Sequence, residues 1–159
     1  MKGFTLIELL VVVVIITIIT LGGYENIVGF QKGVVLDQTT SEFVNTLRHA
    51  RNKSISGEIE EGKTHANYDE DFLPRYGVGV DATQDKYYLF VNYQEAGVES
   101  TVIQEEYELS QPLEISPDTQ VYFERITGNS AAASITITDI KSAETRTISI
   151  TSAGEIEEI

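Results

Sequence analysis

The stretch MKGFTLIELLVVVVIITIITL, residues 1–21, decides how the rest of this 159-residue chain is read. From Phe4 to Leu21 every residue is apolar except Thr5, Glu8, Thr17 and Thr20. Continued as a helix to Gly23, the run spans ~30 Å at 1.5 Å per residue, the thickness of a bilayer's hydrocarbon. A transmembrane helix from Phe4 to Gly23 is the expectation. Glu8 is the difficulty. A carboxylate at the centre of a membrane helix costs ~2.5–3.5 kcal/mol on insertion scales, so it asks for a partner.

Two ordinary readings leave Glu8 without a reason. A secretory signal peptide has a shorter apolar region of ~7–15 residues, a small-x-small cleavage site and no internal acid. A signal anchor, with Lys2 holding the N-terminus in the cytoplasm, explains orientation alone. A third reading supplies the partner. Cleavage between Gly3 and Phe4 would create an α-amino group on Phe4, with Glu8 one helical turn further in. A buried charge is tolerated when paired, and a neighbouring copy offset along the helix axis would present its own Phe4 amine. Glu8 then acts as a register device, as a polar residue does in a coiled coil.

The octapeptide Gly3-Phe4-Thr5-Leu6-Ile7-Glu8-Leu9-Leu10 resembles the class III signal of type IV pilins and type II secretion pseudopilins. The resemblance implies that a prepilin peptidase cuts after Gly3 and methylates the amine of Phe4. It also implies that Glu8 recruits and registers subunits in a helical filament. Where many major pilins carry a proline after the membrane stretch, this chain has Gly22-Gly23. Glycine costs ~1 kcal/mol in a helix interior but allows bending without loss of an amide donor. The pair is either a hinge or the ordinary enrichment of glycine in membrane helices.

Charge divides the chain. Up to Gly57 there are four acids and five bases; from Glu58 onward there are twenty-one acids and six bases, and the whole carries −14. Such a surface repels phosphate backbones, because nucleic-acid affinity rests on Lys and Arg displacing counterions. The acidity serves solubility and mutual repulsion, and an electrostatic partner should be basic. The absence of cysteine excludes disulfides, thiolate metal sites and cysteine nucleophiles.

From Tyr24 to about Ser56 there is no proline. Ile27, Phe30, Val34, Val44, Leu47 and Ala50 recur at spacings of three, four and seven around a polar gap from Asp37 to Glu42, which predicts an amphipathic continuation of the helix. Phe4 to Ser56 would form a rod of ~80 Å. Gly29-Phe30-Gln31-Lys32-Gly33 has small-xxx-small spacing, a weak signal for close helix contact. The expected division is a leader at 1–3, a membrane or filament-core helix at 4–23, its continuation at 24–57 and an acidic antiparallel β head at 58–159. Residues 58–73 read as a polar loop. Strands are expected at Tyr76–Val80, Tyr87–Tyr93, Thr101–Leu109, Gln120–Glu124, Ser134–Thr138, Thr145–Thr151 and near Glu155–Ile159. Tyr87–Tyr93, apolar on both faces, reads as a central strand, and Lys141-Ser142-Ala143-Glu144 as the turn of a late hairpin.

The fold class is thus α+β, a long N-terminal helix with an antiparallel β domain, the lollipop outline that the resemblance also implies. Leu47–Ile55, Tyr76–Val80 and Ile148–Ile156 are loosely similar to H-type minor pseudopilins and FimT-like minor pilins. This similarity favours a minor subunit over a shaft subunit.

Residues with reactive chemistry are sparse. His49 and His65 lack any metal-ligand spacing and read as surface residues. Asp69-Glu70-Asp71 and Asp81-Ala82-Thr83-Gln84-Asp85 lack the alternating ligands of a calcium loop. No phosphate loop and no triad spacing is present. No catalytic residue, metal or cofactor is expected, and the chain reads as a non-enzyme. The resemblance implies other pilin or pseudopilin subunits, prepilin peptidase, an inner-membrane assembly platform and membrane lipid as partners. Its expected location is the bacterial inner membrane, single-pass with a cytoplasmic N-terminus, and then a periplasmic or extracellular filament. Rival readings are a major shaft pilin, a signal-anchored exported β domain and a DNA-binding competence pilin. The acidic ending Gly154-Glu155-Ile156-Glu157-Glu158-Ile159 opposes the last of these.

Overall fold

Among the described residues a long helix, α1 (Leu6–Ser56), is followed by eight strands. The computed structural model describes residues 6–59 and 73–159, with the backbone alone described for 21–32. The chain divides inside α1 into two compact units, Met1–Val35 and Leu36–Ile159. Gly22 and Gly23 lie within α1. The side chains of Ile27 and Phe30, and the loop carrying His65 and Asp69–Asp71, lie outside the described residues.

In the second unit α1 buries one stripe. Leu36, Thr40, Phe43, Leu47, Ala50 and Ser54 follow one another at intervals of four and three, and each is fully buried. This is one face of a 3.6-residue period. The stripe passes through the polar gap noted in the sequence. Thr40 sits inside that gap, and burial is tolerable because its hydroxyl donates to the Leu36 carbonyl at 2.8 Å. Val34, expected on this face, is instead exposed. Counting back from Leu47 at helical spacing reaches Phe43, Thr40 and Leu36, and leaves Val34 off the face.

The helix ends where Gly57 takes a left-handed φ of 67°. The Glu58 amide donates to the Lys53 carbonyl at 3.1 Å and the Gly57 amide to the Ser54 carbonyl at 3.2 Å. Together these bonds satisfy two terminal carbonyls in a Schellman arrangement. Ser54 then ties this end to the first strand. The Tyr76 amide donates to Ser54 Oγ at 2.8 Å, and the hydroxyl donates to the Tyr76 carbonyl at 3.3 Å.

The strands form two antiparallel four-stranded sheets. The first, in the order β3-β2-β1-β5, comprises β1 (Arg75–Asp81), β2 (Lys86–Glu95), β3 (Val98–Glu108) and β5 (Thr119–Tyr122). The second, in the order β4-β6-β7-β8, comprises β4 (Leu113–Ser116), β6 (Ala133–Asp139), β7 (Glu144–Ile150) and β8 (Ile156–Glu158). β2 is central, as its two apolar faces predicted. β4 was not expected: with four residues between Pro112 and Pro117 it is too short for a period-2 pattern to stand out, although Leu113 and Ile115 are buried and Glu114 and Ser116 exposed. The β6–β7 turn falls at the expected residues, because Asp139 Oδ1 accepts from the Lys141 amide at 2.8 Å and the Ser142 amide at 3.3 Å.

One core joins the α1 stripe to both sheets, including Val78, Leu89 and Val91 of the first and Ile135, Ile137 and Ile148 of the second. Each such side chain, once buried, contributes ~1.5–3 kcal/mol. At its centre the Phe43 ring meets Tyr87 edge-on at 4.9 Å, and Tyr87 stacks on Tyr107 across β2 and β3 at 4.9 Å. Both are preferred aromatic geometries.

Two consequences are measurable. Burial pushes the Tyr87 phenol up to about 12, against a hydrogen bond with Thr46 that pulls the other way. A phenol that holds its proton more tightly when folded stabilises the fold fully below pH ~10, its ordinary value, and that stabilisation is lost as pH rises from ~10 towards 12. Tyrosinate absorbance should show an ionisation delayed from pH ~10 towards 12 that Tyr87→Phe deletes. Ionisation of all eight tyrosines together near pH 10 in intact protein would refute it.

The second concerns Gly154, at φ 73°, where an added Cβ would lie 1.9 Å from the Gly128 carbonyl oxygen. Gly154→Ala meets a left-handed penalty of ~1–2 kcal/mol and a backbone clash besides. Thermal unfolding of the full chain in detergent should fall by roughly 3–8 °C. An unchanged midpoint would show that the turn relaxes without cost.

Candidate functional site

Glu8 stands in the first turn of α1 as the structure describes it. A carboxylate there is favoured by the positive end of the helix dipole, so the helix itself tolerates the acid at this position better than further along. Around it the helix is apolar on every side. Leu6 is 82% exposed and Ile19 68%, and every large aliphatic side chain between them is exposed as well. A continuous apolar surface of this kind marks contact with lipid or with another protein chain. A shallow cavity of about 320 Å³ lies beside Ile7, Glu8, Val11 and Val12. These residues share one side of the helix, since Val11 and Val12 follow Glu8 by three and four.

The two threonines of the run behave differently from Glu8. Thr17 Oγ1 donates to the Val13 carbonyl at 2.8 Å and Thr20 Oγ1 to the Ile16 carbonyl at 2.7 Å. Each hydroxyl is satisfied by its own helix, the arrangement that lets such residues sit in apolar surroundings. Glu8 differs in kind, because a full charge costs far more than a hydroxyl to place in apolar surroundings.

Gly3 and Phe4, the expected cleavage junction and methylation site, lie outside the described residues. Among the described residues no helix is long and apolar enough to cross a membrane. The described apolar side chains from Leu6 to Thr20 cover ~22 Å at helical rise, short of the ~30 Å of hydrocarbon.

Elsewhere the polar residues flagged in the sequence serve structure. Asp81 Oδ1 accepts from the Thr83 and Gln84 amides at 3.0 and 3.1 Å and so closes the β1–β2 turn. His49 is exposed on α1. Among the described residues no three His, Asp or Glu side chains converge on a metal position. What sequence reasoning missed is a cavity of about 360 Å³ near the end of α1, where Arg48, Arg51 and Asn52 face Gly154, Glu155 and Ile156. Both arginines lay inside the stretch Leu47–Ile55 and were read there only as helix.

Residues 1–24 match the family model described as the prokaryotic N-terminal methylation motif. No curated protein and no solved structure matches the chain. The matched segment contains the Gly3-Phe4 junction, Glu8 and the exposed aliphatic run, so this chain carries the N-terminal methylation motif of type IV pilin-like proteins, which supports processing by the peptidase and assembly with other pilin subunits.

Proposed function

We propose that the protein is a structural, non-enzymatic subunit of a type IV filament, a minor pilin or a type II secretion pseudopilin. The observation that carries this reading is the methylation motif at residues 1–24, with Glu8 set in a wholly exposed aliphatic helix. Prepilin peptidase removes Met1-Lys2-Gly3 and methylates Phe4. Before assembly, Phe4 to Gly23 spans the inner membrane, with the β domain outside; the residues flanking the described run, Phe4 and Leu21 to Gly23, complete the length that hydrocarbon requires. The assembly platform then transfers the helix from lipid into a bundle of like helices. The similarity of Leu47–Ile55 and Ile148–Ile156 to H-type minor pseudopilins supports the minor role. The acidic C-terminal domain favours protein contacts over nucleic acid.

Intact-mass analysis of protein from the native host should find a chain beginning at Phe4 and heavier by one methyl group. A mature chain retaining Met1-Lys2-Gly3 beside an active peptidase would instead support a plain signal anchor.

Glu8 should matter for assembly and little for insertion. In the membrane monomer its carboxylate lies near the headgroup interface; in the filament it pairs with the Phe4 amine of an adjacent subunit. Deleting one partner of a buried pair costs ~3–5 kcal/mol, whereas a neutral residue enters the bilayer more easily than glutamate. Glu8→Ala and Glu8→Gln should be processed and membrane-inserted at normal levels yet be absent from sheared or purified filaments. Wild-type incorporation of Glu8→Ala would rule out the pairing.

A further inference from the structure

The stripe by which α1 meets the sheets is not held equally along its length. From Phe43 onward the contacts are many and directional. Phe43 meets the Tyr87 ring edge-on at 4.9 Å, and Thr46 hydrogen-bonds the Tyr87 phenol. Leu47 and Ala50 are fully buried. Arg51 Nε reaches the Gly128 carbonyl at 3.4 Å, and Ser54 exchanges two bonds with the Tyr76 backbone at 2.8 and 3.3 Å.

Residues 36–42 are held otherwise. Leu36 is fully buried and is the apolar anchor of this stretch. Thr40 is buried too, but its hydroxyl is spent on the Leu36 carbonyl of its own helix at 2.8 Å. Gln38 bonds Glu42 within the helix, at 3.0 Å. Asp37 makes the charged link to a strand: its Oδ1 accepts from Arg146 Nε at 3.0 Å and lies 2.8 Å from Nη2. Arg146 is itself fixed on β7, because its Nη1 donates to the Thr145 carbonyl at 3.0 Å. Both partners are part exposed, Arg146 at 32% and Asp37 at 59%, and a pair of that kind contributes little against opening. One buried leucine and one such pair set the cost of local opening well below that of global unfolding. Leu36 is also the first residue of the second unit.

We propose that residues 36–42 form a strap that leaves the sheets independently of the rest of the second unit, with Asp37–Arg146 as its clasp and Phe43 on Tyr87 as the point where detachment stops. Opening keeps the helix intact, since its backbone bonds are not involved, and exposes Leu36 and Thr40. The first sheet-bound residue of α1 moves from Leu36 to Phe43, ~10 Å along the helix. The chain thereby gains a second exit point for α1 without unfolding its core. Use of that freedom when a subunit passes from bilayer to filament rests on the subunit reading; the opening itself does not.

The chain has no cysteine, so single thiols report the opening directly. Full-length Thr40→Cys and Ala50→Cys, both at fully buried positions, are purified in detergent and labelled with a water-soluble maleimide. Thr40→Cys should react roughly tenfold faster than Ala50→Cys, because local opening exposes the first site and global unfolding is needed for the second. Asp37→Ala should raise the rate at position 40 by up to about fivefold, which corresponds to the ~1 kcal/mol upper end for such pairs, and leave position 50 unchanged. Arg146→Gln should do the same, and the two together should do no more than either alone, since they break one interaction. Equal rates at 40 and 50, an Asp37→Ala effect felt equally at both, no effect at 40, or additive effects of the two substitutions each overturns the strap. Intact mass of the same protein isolated from the native host reads Phe4 processing independently. A mature chain with an inert position 40 therefore refutes the strap and leaves the subunit reading standing, whereas an unprocessed chain with the expected labelling does the reverse.

Discussion

An aliphatic side chain left in water costs ~1.5–3 kcal/mol relative to burial, and α1 meets that cost in two opposite ways. From Leu36 to Ser56 its apolar stripe is covered by the chain's own sheets, and Leu36, Phe43, Leu47 and Ala50 have no exposure at all. From Leu6 to Ile19 the described chain covers none of its aliphatic side chains. The first condition makes a core. The second makes a surface that must find lipid or other helices, and the rest of the chain's design follows from having both.

How each half is written in sequence explains what could be read there. Leu6–Ile19 is apolar all round, so no periodicity is needed to recognise it, and Glu8 stands out because nothing else charged surrounds it. The core half is subtler. Thr40 and Ser54 belong to the buried stripe but are polar, and only the hydrogen bonds from Thr40 to the Leu36 carbonyl and between Ser54 and Tyr76 make them interior residues. A count of apolar positions therefore drifts to Val34, which is exposed. Among the strands, β2 and the β6–β7 hairpin were legible from alternation and from turn chemistry around Asp139. β4 was not, because four residues hold too little pattern. The placement of Arg51 was invisible for another reason: only the fold brings it to the Gly128 carbonyl, 77 residues later.

Electrostatics divides the labour in the same way. Within the second unit Lys53 pairs with Glu58, Lys86 with Glu106 and Glu108, and Arg146 with Asp37, at separations from 2.7 to 3.1 Å. All four pairs have at least one half-exposed partner, so they add little stability, since such pairs contribute ~0–1 kcal/mol. Apolar burial holds the second unit together. A strongly acidic domain with a long exposed edge strand avoids edge-to-edge aggregation without giving up the edge.

Glu8 shows why a charge can order an assembly that aliphatic contact cannot. Leucine, isoleucine and valine pack almost equally well at many offsets along a neighbouring helix, because dispersion is non-directional and each turn of Leu6–Ile19 offers similar partners. Sliding one helix past another by a turn, 5.4 Å, changes little in such a contact. An ion pair differs. In surroundings of low dielectric its energy falls steeply with separation, and each unpaired member carries a desolvation penalty of several kcal/mol. A single carboxylate in an otherwise featureless run therefore penalises every offset except the one that brings an amine to it. In the proposed filament the acid is costly everywhere but at the correct register, and that selectivity is what an aliphatic helix lacks on its own.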